Sequence, residues 1–264
     1  MKTIKYFGVI TILVLLITAM STMSASADGL ANLTVNFPGV TVGNVWIRQA
    51  GTNTDVIPPL GSQTNLATAA VPYGTYDVWV QQGSGVYEKK LNVDCTASGL
   101  CTASFTVSAL TVNFTDVTVG NVLVRVPGTN SDVIPWSGAK TGSYGPVNLL
   151  ADNYDVWAQQ GSGKWEVMNV NCSGGGTCTA AYSIANLTVN FSGVTVGNVW
   201  IRQSGGTNND VVTPLGSKTD SAGPVNLLAD TYDVWVQQGS GVYEKKLNVD
   251  CSAGGACTAA YSIA

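Results

Sequence analysis

One block of sequence occurs three times in this chain. Leu33-Thr34-Val35-Asn36-Phe37 returns as Leu110-Thr111-Val112-Asn113-Phe114 and again as Leu187-Thr188-Val189-Asn190-Phe191, at a constant step of 77 residues. Gly43-Asn44-Val45, Gly120-Asn121-Val122 and Gly197-Asn198-Val199 keep that register. Tyr76-Asp77-Val78-Trp79, Tyr154-Asp155-Val156-Trp157 and Tyr232-Asp233-Val234-Trp235 recur later in each unit, at a step of 78. Such a period exceeds most solenoid repeats and approaches the smallest chain that can close a hydrophobic core by itself. The spacing therefore predicts three small tandem domains over 28–108, 109–184 and 185–264, after a leader over 1–27.

Inside each repeat the apolar period is two. Leu33, Val35 and Phe37 alternate with polar neighbours, and so do Val45 and Ile47, Tyr76, Val78 and Val80, and Cys101, Ala103, Phe105 and Val107. That pattern buries one face of a strand and wets the other, as antiparallel sheets do. Pro38-Gly39, Gly51-Thr52-Asn53 and Gly83-Ser84-Gly85 supply turns between the runs. No helical apolar face of useful length lies beyond the leader. The predicted fold is all-β, with one antiparallel two-sheet β-sandwich per repeat. Val107 and Leu110 are three apart, which breaks the alternation and places a kink at Ser108-Ala109; Ile184 and Leu187 repeat the offset. Without a Gly/Pro/Ser linker, a stiff string of domains is expected.

The leader has the three-part layout of a secretion signal. Lys2 and Lys5 precede an apolar run from Tyr6 to Met20, and Ala25-Ser26-Ala27 offers a small-x-small cleavage site before Asp28. The run is shorter than the roughly 20 residues that a comfortable span needs. No second hydrophobic segment follows, and the chain stops at Ala264 without a sorting tail. The expected mature form is secreted, extracellular or on the cell surface, with no stable transmembrane span.

Six cysteines fall two per repeat, as Cys95 and Cys101, Cys172 and Cys178, and Cys251 and Cys257, always with five residues between. In an oxidising compartment this favours three local disulfides, each pinning the last hairpin of its domain, over a redox or metal-binding thiol pair. For so short a loop the entropic gain is about 2 kcal/mol.

Charge limits the chemistry. Charged residues make up 11% of the chain, the formal net charge is −4, and there is no histidine. A weakly acidic chain lacks the field that phosphate backbones need, so no nucleic-acid partner is expected. Without His, the usual general base, Ser–His nucleophiles and most zinc sites are absent. No cofactor and no metal site are predicted. Asp55, Asp132 and Asp210 follow Asn-rich turns and could join a Ca²⁺ site, but isolated turn carboxylates more often make Asx turns. A carboxylate pair for glycoside hydrolysis is not excluded by counting, yet no second acid keeps step with the repeat. Sequons at Asn32, Asn113 and Asn186 matter only in a host that glycosylates exported proteins.

The candidate binding residues come from a mismatch in the alternation. Trp46 and Trp79 lie on the outward parity, together with Arg48 and Asp77. The second repeat has Leu123, Arg125, Asp155 and Trp157 at these places, and the third has Trp200, Arg202, Asp233 and Trp235. If the two strands are neighbours, the Arg stacks on Trp and faces Asp. Two readings follow. The indoles shield a sheet face or pack against the next domain; or they form a flat aromatic strip for sugar rings or a protein partner.

Two stretches carry a resemblance to known families: Gly39-Val40-Thr41-Val42-Gly43-Asn44-Val45, and Val71-Pro72-Tyr73-Gly74-Thr75-Tyr76-Asp77-Val78. The layout resembles prealbumin-like or immunoglobulin-like sandwiches of the carboxypeptidase-regulatory, PEGA-type and collagen-adhesin B-type repeats. Repeats two and three depart from the second stretch, with Asp152-Asn153 and Asp230-Thr231 before the Tyr. No Lys lies in the opening strands, so the Lys–Asn crosslink of some adhesin repeats is not supported. The resemblance implies a non-catalytic module of exported surface, adhesive or polysaccharide-related proteins. The expected function is a secreted, non-enzymatic structural or adhesive repeat protein. A protein or polysaccharide surface, or self-assembly, is its expected partner. Carbohydrate binding through the Trp strips is the first alternative and a secreted hydrolase the second.

Overall fold

A computed structural model describes residues 29–96, 99–163, 165–205 and 208–262. The expected leader lies outside the described residues. Among those described, regular structure is entirely strand, arranged in six small sheets. The first repeat holds β1 (Leu30–Val42), β2 (Asn44–Gln49), β3 (Gln63–Pro72), β4 (Thr75–Gln82), β5 (Val86–Asp94) and β6 (Leu100–Ser104). One sheet has the order β3-β1-β6 and the other β2-β4-β5. The second repeat runs from β7 (Val107–Val119) through β8 (Asn121–Arg125), β9 (Asp132–Ile134), β10 (Lys140–Leu150), β11 (Asn153–Gln159) and β12 (Trp165–Asn171) to β13 (Gly176–Ala181). Its sheets are β10-β7-β13 and β12-β11-β8-β9. The third contains β14 (Ile184–Val196), β15 (Asn198–Gln203), β16 (Lys218–Leu228), β17 (Thr231–Gln238), β18 (Val242–Asp250) and β19 (Gly255–Ala260), in sheets β16-β14-β19 and β15-β17-β18.

The period-two pattern places the core as expected. Leu33, Val35 and Phe37 on β1 meet Val45 and Ile47 on β2 and Val78 and Val80 on β4, each at most 1% exposed. The Gly-Asn-Val motif has a mechanical cause. The Gly43 N–H donates to the Gln81 carbonyl at 2.7 Å, tying the crossover from β1 to the facing sheet. Asn44 Oδ1 then accepts from Gly61 N at 2.9 Å and closes the long β2–β3 loop; Asn121 and Asn198 do the same for Gly138 and Gly216. Buried Tyr76, Tyr154 and Tyr232 each donate their hydroxyl to the carbonyl four residues upstream. Burial raises all three phenol pKa values, so these hydroxyls stay protonated donors.

Three features differ from the sequence expectation. The sheets are not wholly antiparallel: each closing strand lies parallel to its opening strand, β6 on β1, β13 on β7 and β19 on β14. In consequence the three disulfides, Cys95–Cys101, Cys172–Cys178 and Cys251–Cys257, do not pin a hairpin. Cys95 follows β5 in one sheet and Cys101 sits on β6 in the other, so the bridge staples sheet to sheet. Finally, the break in alternation falls at Thr106-Val107 rather than Ser108-Ala109. Phe105 is buried at the end of the first repeat, and β7 begins at Val107 with Ser108 already inward, 1% exposed and donating to the Cys172 carbonyl.

Consecutive repeats are joined by a contact that occurs twice with the same residues. Gln82, 2% exposed, donates Nε2–H to the Asn148 carbonyl at 3.1 Å and accepts from Leu150 N at 2.8 Å. One junction later, Gln160 makes the same pair of bonds to Asn226 O and Leu228 N. Ser84 donates both N–H and Oγ–H to Asp132 O, and Ser162 does so to Asp210 O. Gly83 and Gly161 (φ +60° and +57°) lie so close to this backbone that a Cβ would stand 2.3 Å from a carbonyl oxygen of the next repeat. The buried apolar residues of repeats one and two form a continuous cluster.

Candidate functional site

β2 and β4 are antiparallel neighbours, in a register that sets Trp46 opposite Trp79 and Arg48 opposite Asp77. In the second repeat Leu123 faces Trp157 and Arg125 faces Asp155; in the third Trp200 faces Trp235 and Arg202 faces Asp233. The five indoles are half-buried on the outer sheet faces, whereas Leu123 is covered completely. The Arg48 guanidinium lies 5.9 Å and 5.8 Å from the ring centroids of Trp46 and Trp79. Arg202 stands 5.8 Å and 5.7 Å from Trp200 and Trp235, and Arg125 is 5.0 Å from Trp157. Each such stack contributes about 0.5–1 kcal/mol at a half-open site.

Each arginine forms an ion pair with an aspartate seven or eight residues further along the chain. Arg48 Nε donates to Asp55 Oδ1 at 2.8 Å, Arg125 to Asp132 at 2.6 Å and Arg202 to Asp210 at 2.8 Å. The turn aspartates weighed as calcium ligands are thus engaged with guanidinium. Arg202 also reaches Asn208 Oδ1 at 3.2 Å. Asp77 and Asp233 are 2% and 0% exposed, where sequence parity had placed them toward solvent. Their carboxylates hold backbone. Asp77 accepts from Gly51 N at 3.1 Å and Asn92 N at 3.3 Å, and Asp233 accepts from Asn248 N at 3.3 Å and pairs with Lys245 at 3.4 Å. Asn92 and Asn248 (both φ 55°) sit where β5 and β18 carry one residue more than β12. The second repeat lacks that residue, and the Asn169 amide donates to Asp155 instead, while Gly128 N donates at 2.8 Å.

An aromatic run in the second repeat was not singled out by parity. Trp136 packs edge-on against Trp165 at 6.0 Å, and Trp165 against Trp157 at 6.5 Å. Trp136 is 68% exposed, the most open indole among the described residues. Its position in an irregular segment before β10 gave no strand parity to read. The Trp157 Nε1–H is sealed from solvent and meets no acceptor among the described residues, so it can offer nothing to an incoming hydroxyl. In the third repeat Trp200 contacts Tyr243 at 5.7 Å, and Lys245 lies 4.8 Å from the Trp235 ring. Cations therefore occupy much of the ring area in the paired-Trp repeats, and Trp136 presents the open surface.

No family model and no curated protein matches the chain. Among solved structures, the Bacillus anthracis TIE protein overlaps 88% of this chain at 10% identity with a TM-score of 0.24. The chain spans about half of that protein, 50% of its length. A Bacteroides ovatus protein of a mixed-linkage glucan utilization locus, SGBP-B, solved with a mixed-linkage heptasaccharide, overlaps 89% of this chain and 67% of its own, at 11% identity and a TM-score of 0.13. Scores this low establish no shared fold with either.

Proposed function

We propose that the chain is a secreted, non-catalytic repeat protein with a structural or adhesive role outside the cell. The observation that carries this reading is the duplicated junction, which holds three stapled β units in one repeating relation and so presents their outer faces at regular intervals. Three bridges and the lack, among the described residues, of a helix long and apolar enough to cross a membrane fit an extracellular protein. Weak sites repeated along one stiff chain gain avidity without a deep pocket. Fractionation tests the reading: the protein is expected in the medium or washed from the cell surface, and retention in the cytoplasm overturns it.

Carbohydrate binding is the second reading, favoured by Trp136 alone. An exposed indole braced edge-on by Trp165 is a rigid apolar plate on a polar surface, suited to a sugar ring. On a glycan array followed by fluorescence titration, Trp136→Ala is expected to weaken any hit at least tenfold. Trp79→Ala and Trp235→Ala, whose rings are stacked by arginine, are expected to change it less. An array without hits removes this reading and leaves the structural one standing.

A further inference from the structure

The face that joins each repeat to the next is present a third time, at the end of the third repeat. Gln238-Gly239-Ser240-Gly241 stands where Gln82-Gly83-Ser84-Gly85 and Gln160-Gly161-Ser162-Gly163 stand. Unlike Gln82 and Gln160, Gln238 is half-exposed, and no described residue bonds its amide. A Cβ at Gly239 (φ +61°) would meet nothing within 4 Å, against 2.3 Å at each internal junction. So the side that donates to the junction is built, and no described residue covers it.

On the first repeat, no described residue covers the complementary side. Asp55 is exposed where Asp132 and Asp210 are half-buried, and no described residue donates to its carbonyl. Val56 is half-buried where Val133 and Val211 are 3% and 6% exposed under the preceding repeat. Ala70 retains the carbonyl that Asn148 and Asn226 offer. Gly74 stands where Asp152 and Asp230 stand, which removes a carboxylate: at the first internal junction Asp152 helps to raise the pKa of Glu88 by proximity. Glu244, the counterpart of Glu88, meets no such charge on the first repeat. One partner is missing. Pro72 occupies the place of Leu150 and Leu228, whose N–H groups serve the glutamine Oε1, and proline has no N–H.

We infer that a second copy of this chain docks its first repeat onto the third repeat of the one before it, through the contact that already joins repeats within a chain. The occupant follows from continuity with that contact: the two uncovered faces are the two halves of the same joint, at opposite ends of the repeat array. Such a head-to-tail interface is heterologous, so its products are strings of copies, open or closed into a ring according to the rotation at each joint. Pro72 makes the joint between chains weaker than the joint within them, since Gln238 Oε1, once covered in the joint, finds no N–H at that place. Association is then reversible and concentration-dependent. The inference rests on the junction geometry and not on the adhesive role.

Sedimentation velocity of the secreted chain over a wide concentration range is the test, with Pro72→Leu and Gln238→Ala beside the wild type. Leucine is the residue that repeats two and three use at that place, so the first variant is compatible with the strand. Wild type is expected to form head-to-tail oligomers whose size grows with concentration. Pro72→Leu is expected to tighten association about 5- to 10-fold, the worth of one restored hydrogen bond of about 1 kcal/mol. Gln238→Ala is expected to weaken it about tenfold or more, and the double variant to match Gln238→Ala. A chain that stays monomeric in all three forms overturns the inference. So does association that Gln238→Ala leaves unchanged, because it must then use another surface.

Discussion

Asp77 and its counterparts serve the loops beneath the aromatic face. A carboxylate that is 2% exposed and accepts two backbone N–H groups is a fastener for the turn at Gly51 and for the extra residue at Asn92. Asp77→Ala is expected to cost about 1–3 kcal/mol, the penalty for leaving such donors buried and unpaired, read as a fall in the unfolding midpoint. Arg48 works above it, where its pair with Asp55 is partly open to water and contributes less than about 1 kcal/mol. Glu88 responds to pH. Burial first, and Asp152 second, raise its pKa against the lowering effect of Lys90, with the Tyr154 phenol also nearby. A carboxyl whose folded pKa is raised stabilises the fold in its protonated form, and that contribution is lost as pH rises through the folded value. The first junction is therefore expected to resist heat better below the ordinary Glu value of 4.5 than at neutral pH, and Glu88→Gln to flatten the difference. Asp94 and Asp250 oppose this only at lower pH, since hydrogen bonds from Thr96 and Ser252 lower their pKa values.

At the scale of elements, the closing strand decides the architecture. β6 could have continued as a hairpin partner of β5, and period-two alternation of Cys101, Ala103 and Phe105 is the same in either place. Alternation reports which face of a strand is buried, not which neighbour supplies its hydrogen bonds. The chain instead returns β6 to the parallel side of β1, and Cys95–Cys101 spans the two sheets. Replacing both cysteines by serine is expected to cost about 2 kcal/mol by loop entropy. Hydrogen exchange should then show β6 losing protection while the β1–β3 pairing keeps it; loss confined to β4 and β5 would mean that the bridge pins a hairpin after all. The extra residue in β5 and β18 is a second element-level difference. It is visible when repeats one and three are set against repeat two, but that Asn92 and Asn248 donate their N–H groups to a buried aspartate emerges only from the fold.

At the scale of the molecule, two buried glutamines carry the connection between repeats. Truncating Gln82 to alanine strands the Asn148 carbonyl and the Leu150 N–H at a dry joint, an expected loss of about 1–3 kcal/mol in coupling. Limited proteolysis is expected to report it as new cleavage near Thr106, between the first and second repeats, with the units themselves intact; an unchanged digest would show that the apolar contact alone suffices. The repeat, the alternation and the cysteine pairing were legible in the sequence because each is a local or periodic property: which residues recur, which face turns inward, which thiols are close along the chain. Trp46 opposite Trp79 was legible too, once two strands of matching parity were taken as neighbours. The depth of Asp77, the open face of Trp136 and the meaning of Gln82-Gly83-Ser84 were not. Parity assigns a side of a strand, whereas burial depends on which loop or repeat is laid over that side. That is settled by contacts between residues dozens of positions apart, and those exist only when the chain is folded.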